Sequence, residues 1–322
     1  MNRIADLVPR FEGRRVVVLG DLAVDCFVET CPERLSHEAP VMVLRYRNRR
    51  YLPGCAANTV MNLHRLGAEV IPIGIVGEDE PGQALLQEFE RAGIPDTGLV
   101  YSGTSVLKVR LMSGEASQVQ RQVVRVDVDP AGPFEEDAML ELIARAGAAE
   151  GAEAIVVSDY NYGAASPGLL RAVQGVAPKA LVAVDSRERI GDFEEVTLLA
   201  PNSWKAADYL ALPIESSEQA VHAAGILRER SGAEAVLLTM GHRGMVLADG
   251  AFEHLPARNH IEIVDPTGAG DTVIAVATLA RLAGGSWKQA AALANHAAAL
   301  AVARRGAGGP TAEELKEAVA RG

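Results

Sequence analysis

The residues with the clearest capacity for chemistry lie near the C-terminus, in the run DPTGAGD at 265–271. This run follows a predicted strand at 261–264 and begins a predicted helix rich in Ala and Val. Backbone N–H groups at a helix start lack intrahelical partners, and the helix dipole favours an anion there. Because Gly268, Ala269 and Gly270 are small, a ligand can approach those groups closely. The run therefore predicts a pocket for a transferring phosphoryl group.

Asp271 falls in the first turn of the same predicted helix. A carboxylate there can accept the proton of an attacking hydroxyl, and the helix N-terminus favours its ionised form. The structural alternative is an aspartate that only complements the helix dipole. The run is neither a Walker A loop nor GxGxxG, since Val273 occupies the third glycine position. On these residues alone, both interpretations stay open.

A second group of polar residues lies early in the chain. Asp21 and Asp25 flank the turn after a predicted strand at 16–19. Carboxylates accept two hydrogen bonds from a diol and so suit sugar recognition. Asn58 offers a donor and an acceptor shortly after Gly54, where the backbone can approach a ligand closely. Asp21 also fits a turn-forming role, so two interpretations of it stand.

Three cations alternate along two predicted strands within residues 97–127: Lys108, Arg110 and Arg125. Side chains two residues apart on a strand share a face, so we expect the three to lie together. Such a cluster can hold a phosphate at the far end of a sugar. The alternative is a solvated strand face whose charges protect a sheet edge.

Strands and helices alternate around these residues. Further strands are predicted at 70–76, 154–158, 181–185, 196–199 and 235–239, with a hairpin at 244–256. Helices are predicted at 56–66, 80–92, 135–147, 203–210, 216–230, 268–283, 286–303 and 311–320. This order predicts an α/β fold, with a mostly parallel central sheet flanked by helices. The segments 26–50 and 97–127 do not follow this alternation, and we interpret them as a small β-sheet lid. The whole chain, 1–322, is interpreted as one domain.

Composition limits the classes of function. Of the 322 residues, 48% are hydrophobic and 23% charged, which is ordinary globular usage. A net charge of −11 argues against nucleic-acid or anionic-membrane partners. Three cysteines form neither a disulfide scaffold nor a zinc set. With no signal-like N-terminus and no run of about 18 apolar residues, a cytoplasmic protein is expected.

Several motifs in chain order resemble those of the ribokinase-like (PfkB) carbohydrate kinases. They are GD at 20–21 with Asp25, PGCAAN at 53–58, PN at 201–202, TMGHRG at 239–244 and DPTGAGD at 265–271. The resemblance implies a ribokinase-like fold and an ATP-dependent kinase for a small sugar or sugar phosphate.

The resemblance also assigns expected roles to residues. Sugar binding falls on Asp25, Gly54 and Asn58, and the general base on Asp271. The nucleotide side falls on Asn202, Thr239, Gly241, Gly244 and Asn295. ATP and Mg²⁺ are implied, no metal ligand is assigned, and a monovalent cation near Asp265 and Thr267 is left open.

Other segments resemble the D-glycero-β-D-manno-heptose 7-phosphate kinases within that family. These are RLSHEAPV at 34–41, SDY at 158–160 with Gly163, KVR at 108–110 and QVVRVD at 122–127. They imply that substrate, with the 1,7-bisphosphate as product. Nothing in the sequence resembles the HxGH motif of the nucleotidyltransferase domain that follows many heptose kinases, so one activity is expected.

Three positions depart from the pattern. Cys55 replaces a glycine, Lys205 replaces an acid that helps to organise Mg²⁺, and Tyr162 stands where heptose kinases usually carry lysine. Two alternatives therefore stay open: a PfkB kinase for another sugar, of the ribose, fructose or fructose phosphate type, or a non-catalytic relative that binds nucleotide or sugar. A homodimer through the exposed edges of the lid is also expected.

Overall fold

The computed structural model describes residues 4–114, 120–130, 132–258, 264–304, 306 and 308–321. The strands are β1 (Arg15–Gly20), β2 (Leu22–Leu35), β3 (Met42–Cys55), β4 (Glu69–Val76), β5 (Leu99–Tyr101), β6 (Val106–Ser113), β7 (Arg121–Val128), β8 (Ala154–Asp159), β9 (Leu181–Ser186), β10 (Leu198–Leu199), β11 (Ala235–Thr239), β12 (Met245–Ala248) and β13 (Phe252–Leu255). The α-helices are α1 (Ala56–Arg65), α2 (Glu80–Arg91), α3 (Glu136–Ala144), α4 (Pro167–Val176), α5 (Ser203–Leu210), α6 (Ser217–Ser231), α7 (Ala269–Leu282), α8 (Trp287–Val302) and α9 (Ala312–Arg321). Short 3₁₀ helices cover Ile4–Arg10, Arg145–Ala149 and Gly241–Arg243.

The larger sheet has the strand order β13-β12-β11-β10-β9-β8-β1-β4-β5. The strands from β11 to β5 run parallel, and β12 and β13 form an antiparallel hairpin at one end. The mostly parallel sheet predicted from the alternating elements is confirmed.

Both faces of this sheet are covered by helices. In β1, Val16 and Val18 pack in the layer that contains α1, α2, α7, α8 and α9. Their neighbours Val17 and Leu19 pack in the opposite layer, with α3, α4, α5 and α6. Strands buried on both faces need apolar side chains throughout, which explains the run VVVL in β1. The helices on both faces hold the strands in place, and with them the polar residues at the ends of the strands.

Helix α4 was not among the predicted helices, although its start carries a normal signal. Ser166 is the N-cap, and its hydroxyl accepts the amide N–H of Leu169 at 3.1 Å. Pro167 follows at the first helical position, where its missing N–H costs nothing.

A second sheet has the strand order β3-β2-β6-β7. It is mixed, because β2 pairs antiparallel with β3 and parallel with β6, and β6 pairs antiparallel with β7. Its boundaries differ from the predicted segments 26–50 and 97–127. Its first strand, β2, begins at Leu22, and β5, which falls within the second predicted segment, belongs to the larger sheet.

The C-terminal part of the chain contains the predicted helices. Of the strand predicted at 261–264, only Val264 lies within the described residues. None of the helices in the described part of the chain is long and apolar enough to cross a membrane.

Candidate active site

Three aspartates lie at the carboxyl ends of the parallel strands. Asp21 follows β1, Asp159 ends β8 and Asp185 lies near the end of β9. The first turn of α7 approaches the same edge, because Gly270 lies near the carboxylate of Asp185. Ligands of open α/β sheets bind at this edge, so the arrangement marks a candidate active site.

Asp271 lies in the first turn of α7, as predicted, and is only 5% exposed. Its Oδ2 accepts a hydrogen bond from Asn58 Nδ2 at 2.7 Å, and its Oδ1 accepts one from the Tyr160 hydroxyl at 2.7 Å. Burial raises the pKa of Asp271 to about 6, while these two hydrogen bonds act in the opposite direction. The carboxylate is therefore mostly ionised at neutral pH and can accept a proton.

The turn before α7 has the geometry of an anion pocket. Gly268 is the N-cap in the left-handed region, with φ 79°, which an L side chain rarely adopts. Asp265 stabilises the turn by accepting the amide N–H of Thr267 at 2.9 Å and that of Gly306 at 3.1 Å. The amide of Ala269 donates to the carbonyl of Pro266 at 3.4 Å, which engages one of the three predicted amides. The amides of Gly268 and Gly270 have no preceding helical turn to receive them, so they are available to an anion.

Asn58 and Asp25 form the predicted sugar side of the site. Asn58 is 1% exposed, and no partner for its Oδ1 is found among the described residues. A buried amide oxygen without a donor is costly and is suited to a ligand hydroxyl. Asp25 accepts a hydrogen bond from the Arg110 guanidinium at 2.5 Å. A Cβ at Gly54 would lie 3.0 Å from Asp25 Cγ, so this glycine gives the carboxylate its space.

The three predicted cations share one face of the second sheet. Arg110 is the cross-strand partner of Arg125, and Lys108 is that of Asp127. Lys108 and Arg110 are buried, whereas Arg125 is partly exposed and pairs with Asp127 at 2.6 Å. The prediction of a common face is confirmed.

Lys108 has unusual surroundings for a buried cation. Its Nζ donates to the Cys55 thiol at 2.7 Å. It also lies 5.0 Å from the ring centroid of Tyr160 and 5.4 Å from that of Tyr162. Both rings provide cation–π contacts, but none of these groups carries a full negative charge.

Cys55 shows why a glycine is expected at its position. It has φ 51° and ψ −129°, a conformation that costs a side-chain-bearing residue about 1–3 kcal/mol. Burial raises the pKa of its thiol to about 12, so the sulfur stays protonated at neutral pH and accepts a weak hydrogen bond from Lys108.

Asp21 is engaged in a way that the sequence did not indicate. Its Oδ2 accepts the amide N–H groups of Tyr160 at 2.8 Å and Tyr162 at 3.0 Å, and its Oδ1 accepts that of Ala164 at 2.8 Å. Both oxygens therefore hold the loop after β8. This geometry favours a loop-organising role over the predicted direct contact with sugar.

The predicted nucleotide-side residues lie at the other end of the strand edge. Asn202 caps α5 by accepting the amide N–H of Lys205 at 2.8 Å, and it bridges to Thr239. Gly241 and Gly244 follow β11 with φ 59° and 90°, conformations suited to glycine. Asn295 donates to the carbonyl of Pro256 at 2.8 Å, which ties α8 to the chain after β13.

Lys205 pairs with a residue that sequence reasoning missed. Its Nζ lies 2.5 Å from Asp185 Oδ1, and both side chains are buried. In the described part of the chain, no group of three or more His, Cys, Asp or Glu residues could hold a metal ion.

Tyr160 was also missed, because only its motif was noted and not its contact with Asp271. The two residues are 111 positions apart in the chain. The preceding residue, Asp159, belongs to the same SDY motif. Asp159 binds Ser186 at 2.6 Å and Arg189 at 2.7 Å, which fixes the end of β8.

Solved structures share this architecture over nearly the whole chain. Phosphofructokinase-2 from Escherichia coli in complex with potassium matches with a TM-score of 0.77 and 18% identity, covering 96% of this chain and 99% of that one. Arabidopsis thaliana ribokinase complexed with ribose and ATP matches with a TM-score of 0.73 and 18% identity, at the same coverage. The fold is ribokinase-like.

Sequence comparisons define the family. The profile described as "pfkB family carbohydrate kinase" matches residues 14–314. The bifunctional protein HldE of Caulobacter vibrioides is 37% identical over 323 residues, covering 98% of this chain and 65% of the relative. That of Hyphomonas neptunium is 33% identical over 326 residues, covering 99% and 66%. The chain thus spans about two thirds of the length of these relatives.

The fold and the matched profile together define the class of the protein, the carbohydrate kinases of ribokinase-like fold. The chain belongs to the pfkB family of carbohydrate kinases.

Proposed function

We propose that the chain transfers the γ-phosphoryl group of ATP to D-glycero-β-D-manno-heptose 7-phosphate, with Asp271 as general base and the 1,7-bisphosphate as product. The two HldE relatives described above support this substrate, because they match 98% and 99% of the chain. The observation that carries the proposal is Lys108, a buried cation without a carboxylate of its own.

The charges around Lys108 favour an anionic substrate. Arg110 pairs with Asp25 and Arg125 pairs with Asp127, so each carboxylate already has a cation. Among the described residues, no carboxylate oxygen lies within 4.0 Å of Lys108 Nζ. The charge of Lys108 acts on the Asp25 and Asp127 carboxylates only at longer range, where it works to lower the pKa of each. A phosphate on the sugar would give this buried ammonium a direct anionic partner. This cluster is therefore the proposed site of the 7-phosphate group.

The transfer step follows from the groups around Asp271. Asn58 and Tyr160 each occupy one carboxylate lone pair, which leaves room for the acceptor hydroxyl to donate a hydrogen bond. The hydroxyl oxygen forms the new bond to the γ-phosphorus, its proton passes to Asp271, and the bond from that phosphorus to the bridging oxygen of ADP breaks. The amides at Gly268 and Gly270 stabilise the charge on the phosphoryl oxygens.

The remaining residues have supporting roles in the proposal. Asn202, Thr239, Gly241, Gly244 and Asn295 line the nucleotide side. Kinases of this family use ATP with a divalent metal, and Mg²⁺ bound with ATP would neutralise phosphate charge. The lid sheet excludes water from the acceptor and so suppresses ATP hydrolysis. A kinase that uses ATP needs a compartment that contains ATP, which agrees with the expected cytoplasmic location.

A coupled ADP-release assay tests the proposal. The panel is heptose 7-phosphate, heptose, ribose, fructose and fructose phosphates, and the highest kcat/KM is expected for heptose 7-phosphate. Lys108→Gln should raise KM for the phosphorylated heptose and leave that for plain heptose unchanged, while the exposed Lys179→Gln changes neither. A higher kcat/KM for an unphosphorylated sugar would reject the assigned substrate.

A second candidate is a relative that binds nucleotide or sugar without turnover. The ion pair of Lys205 with Asp185 favours it, because a lysine replaces the expected acid beside the phosphate pocket. ATP binding without ADP release on any sugar of the panel would support this candidate.

We also propose a homodimer formed through the lid. The outer face of β7 carries Val124, Val126 and Val128, which are 47%, 51% and 47% exposed. Strand β7 is an edge strand, and an exposed apolar edge strand is a candidate site for pairing with another chain. A dimeric mass by light scattering is expected, and a monomeric mass at micromolar concentration would exclude the dimer.

A further inference from the structure

Tyr160 is the one aromatic residue that contacts the Asp271 carboxylate in the described structure. Its hydroxyl donates to Asp271 Oδ1 at 2.7 Å. Burial, together with the neighbouring Asp271 charge, raises the pKa of Tyr160 well above its usual value, so the hydroxyl keeps its proton. Tyr160 can therefore act only as a donor to the carboxylate at working pH.

The position of Tyr160 is fixed from several sides. Its backbone amide donates to Asp21 at 2.8 Å, which anchors the loop after β8. The ring centroid lies close to two buried ammonium groups, 5.0 Å from Lys108 Nζ and 5.5 Å from Lys205 Nζ. Lys108 belongs to the lid strand β6 and Lys205 to α5 on the phosphate side. The loop, the lid and the phosphate side thus all determine where the hydroxyl points.

From this geometry we propose that Tyr160 is a positioning residue, which fixes the orientation of the Asp271 carboxylate and keeps it ionised for the acceptor hydroxyl. The inference rests on the proposed role of Asp271 as general base. It assigns to the SDY motif a task in the reaction that fold stability alone does not require.

The charged and titratable groups around Asp271 determine the expected pH response. Asp185 on β9 raises the pKa of Asp271, and Lys205 on α5 lowers it. The Cys55 thiol at the end of β3 stays neutral and the Tyr160 hydroxyl stays protonated. When the hydroxyl is removed, a hydrogen bond to the ionised carboxylate is lost, so its pKa must rise.

The test is Tyr160→Phe, which keeps the ring near the two lysines. We expect kcat to fall about tenfold and the acidic limb of the kcat–pH profile to move up by about one pH unit, the size of one hydrogen bond to a charged group. The matched control is Tyr101→Phe, which removes an exposed hydrogen bond from a tyrosine to Asp96 and should leave the profile unchanged. An unchanged acidic limb in Tyr160→Phe would overturn the inference.

A second measurement separates this inference from the proposed function. NMR titration of labelled aspartate carboxyl carbons follows Asp271 directly, with Asp271→Asn identifying its signal. The Asp271 pKa should be higher in Tyr160→Phe than in wild type, whether or not a sugar is turned over, and equal values would refute the positioning role. Full activity of Asp271→Asn would instead refute the proposed general base.

Discussion

The buried carboxylate of Asp271 should make the protein less stable at neutral pH than an amide at the same position would. Its pKa rises from an ordinary 3.8 to about 6 in the folded state. Between these two values the folded protein binds more protons than the unfolded chain, so stability falls as pH rises through this window. At 1.36 kcal/mol per pH unit, the penalty above pH 6 is about 3 kcal/mol.

Asp271→Asn removes this penalty and should therefore stabilise the protein at pH 8 by about 3 kcal/mol. The amide still accepts one hydrogen bond, and a rotated Asn58 can offer its unpartnered oxygen to the new NH₂ group. At pH 4 the carboxyl is largely protonated in the fold, so the gain should shrink to less than about 1 kcal/mol.

Urea unfolding at pH 4, 6 and 8 measures the difference in the free energy of unfolding between wild type and Asp271→Asn. The contributions of the other titrating groups are the same in both proteins and cancel in this difference. A gain that grows with pH supports the buried geometry. A difference that does not change with pH, or an Asn variant that is less stable at pH 8, would refute the reasoning.

Three further substitutions test the sugar and phosphate sides. Gly54→Ala places a Cβ 3.0 Å from Asp25 Cγ, so KM for the sugar should rise several-fold with kcat little changed. The control is Gly175→Ala, whose Cβ would meet no atom within 4 Å and which should leave KM unchanged. Arg110→Met removes the one cation that pairs directly with the buried Asp25 carboxylate and should cost about 3–5 kcal/mol in urea unfolding. A loss below about 1 kcal/mol would contradict a buried pair. Lys205→Met should raise KM for ATP and weaken its binding by calorimetry, and unchanged ATP affinity would remove Lys205 from the phosphate side.

The large sheet and the start of α7 could be predicted because their signals are local. Apolar runs give the strands, and the small residues before Asp271 give the helix start. The helix α4 carried a comparable signal in Ser166 and Pro167 and was overlooked. The ends of the lid were harder, because pairing between distant strands decides which sheet β5 joins.

The contacts of the site were less predictable than its residues. Asp271 was identified by type and position, but its partner Tyr160 comes from a loop 111 positions away. Asp21 was predicted either to bind sugar or to form a turn, because its local sequence gives no indication of the four backbone amides that donate to it. A local sequence pattern does not show which distant residues donate hydrogen bonds to a buried carboxylate.

The central claim is that Asp271 takes the proton of a sugar hydroxyl at the mouth of α7. The most direct measurement compares kcat of wild type and Asp271→Asn for ATP-dependent phosphorylation of heptose 7-phosphate, with binding of both substrates measured by calorimetry. The account predicts a loss of about 10²–10⁴-fold in kcat with binding retained. A variant that keeps its kcat within a few-fold of wild type would contradict it.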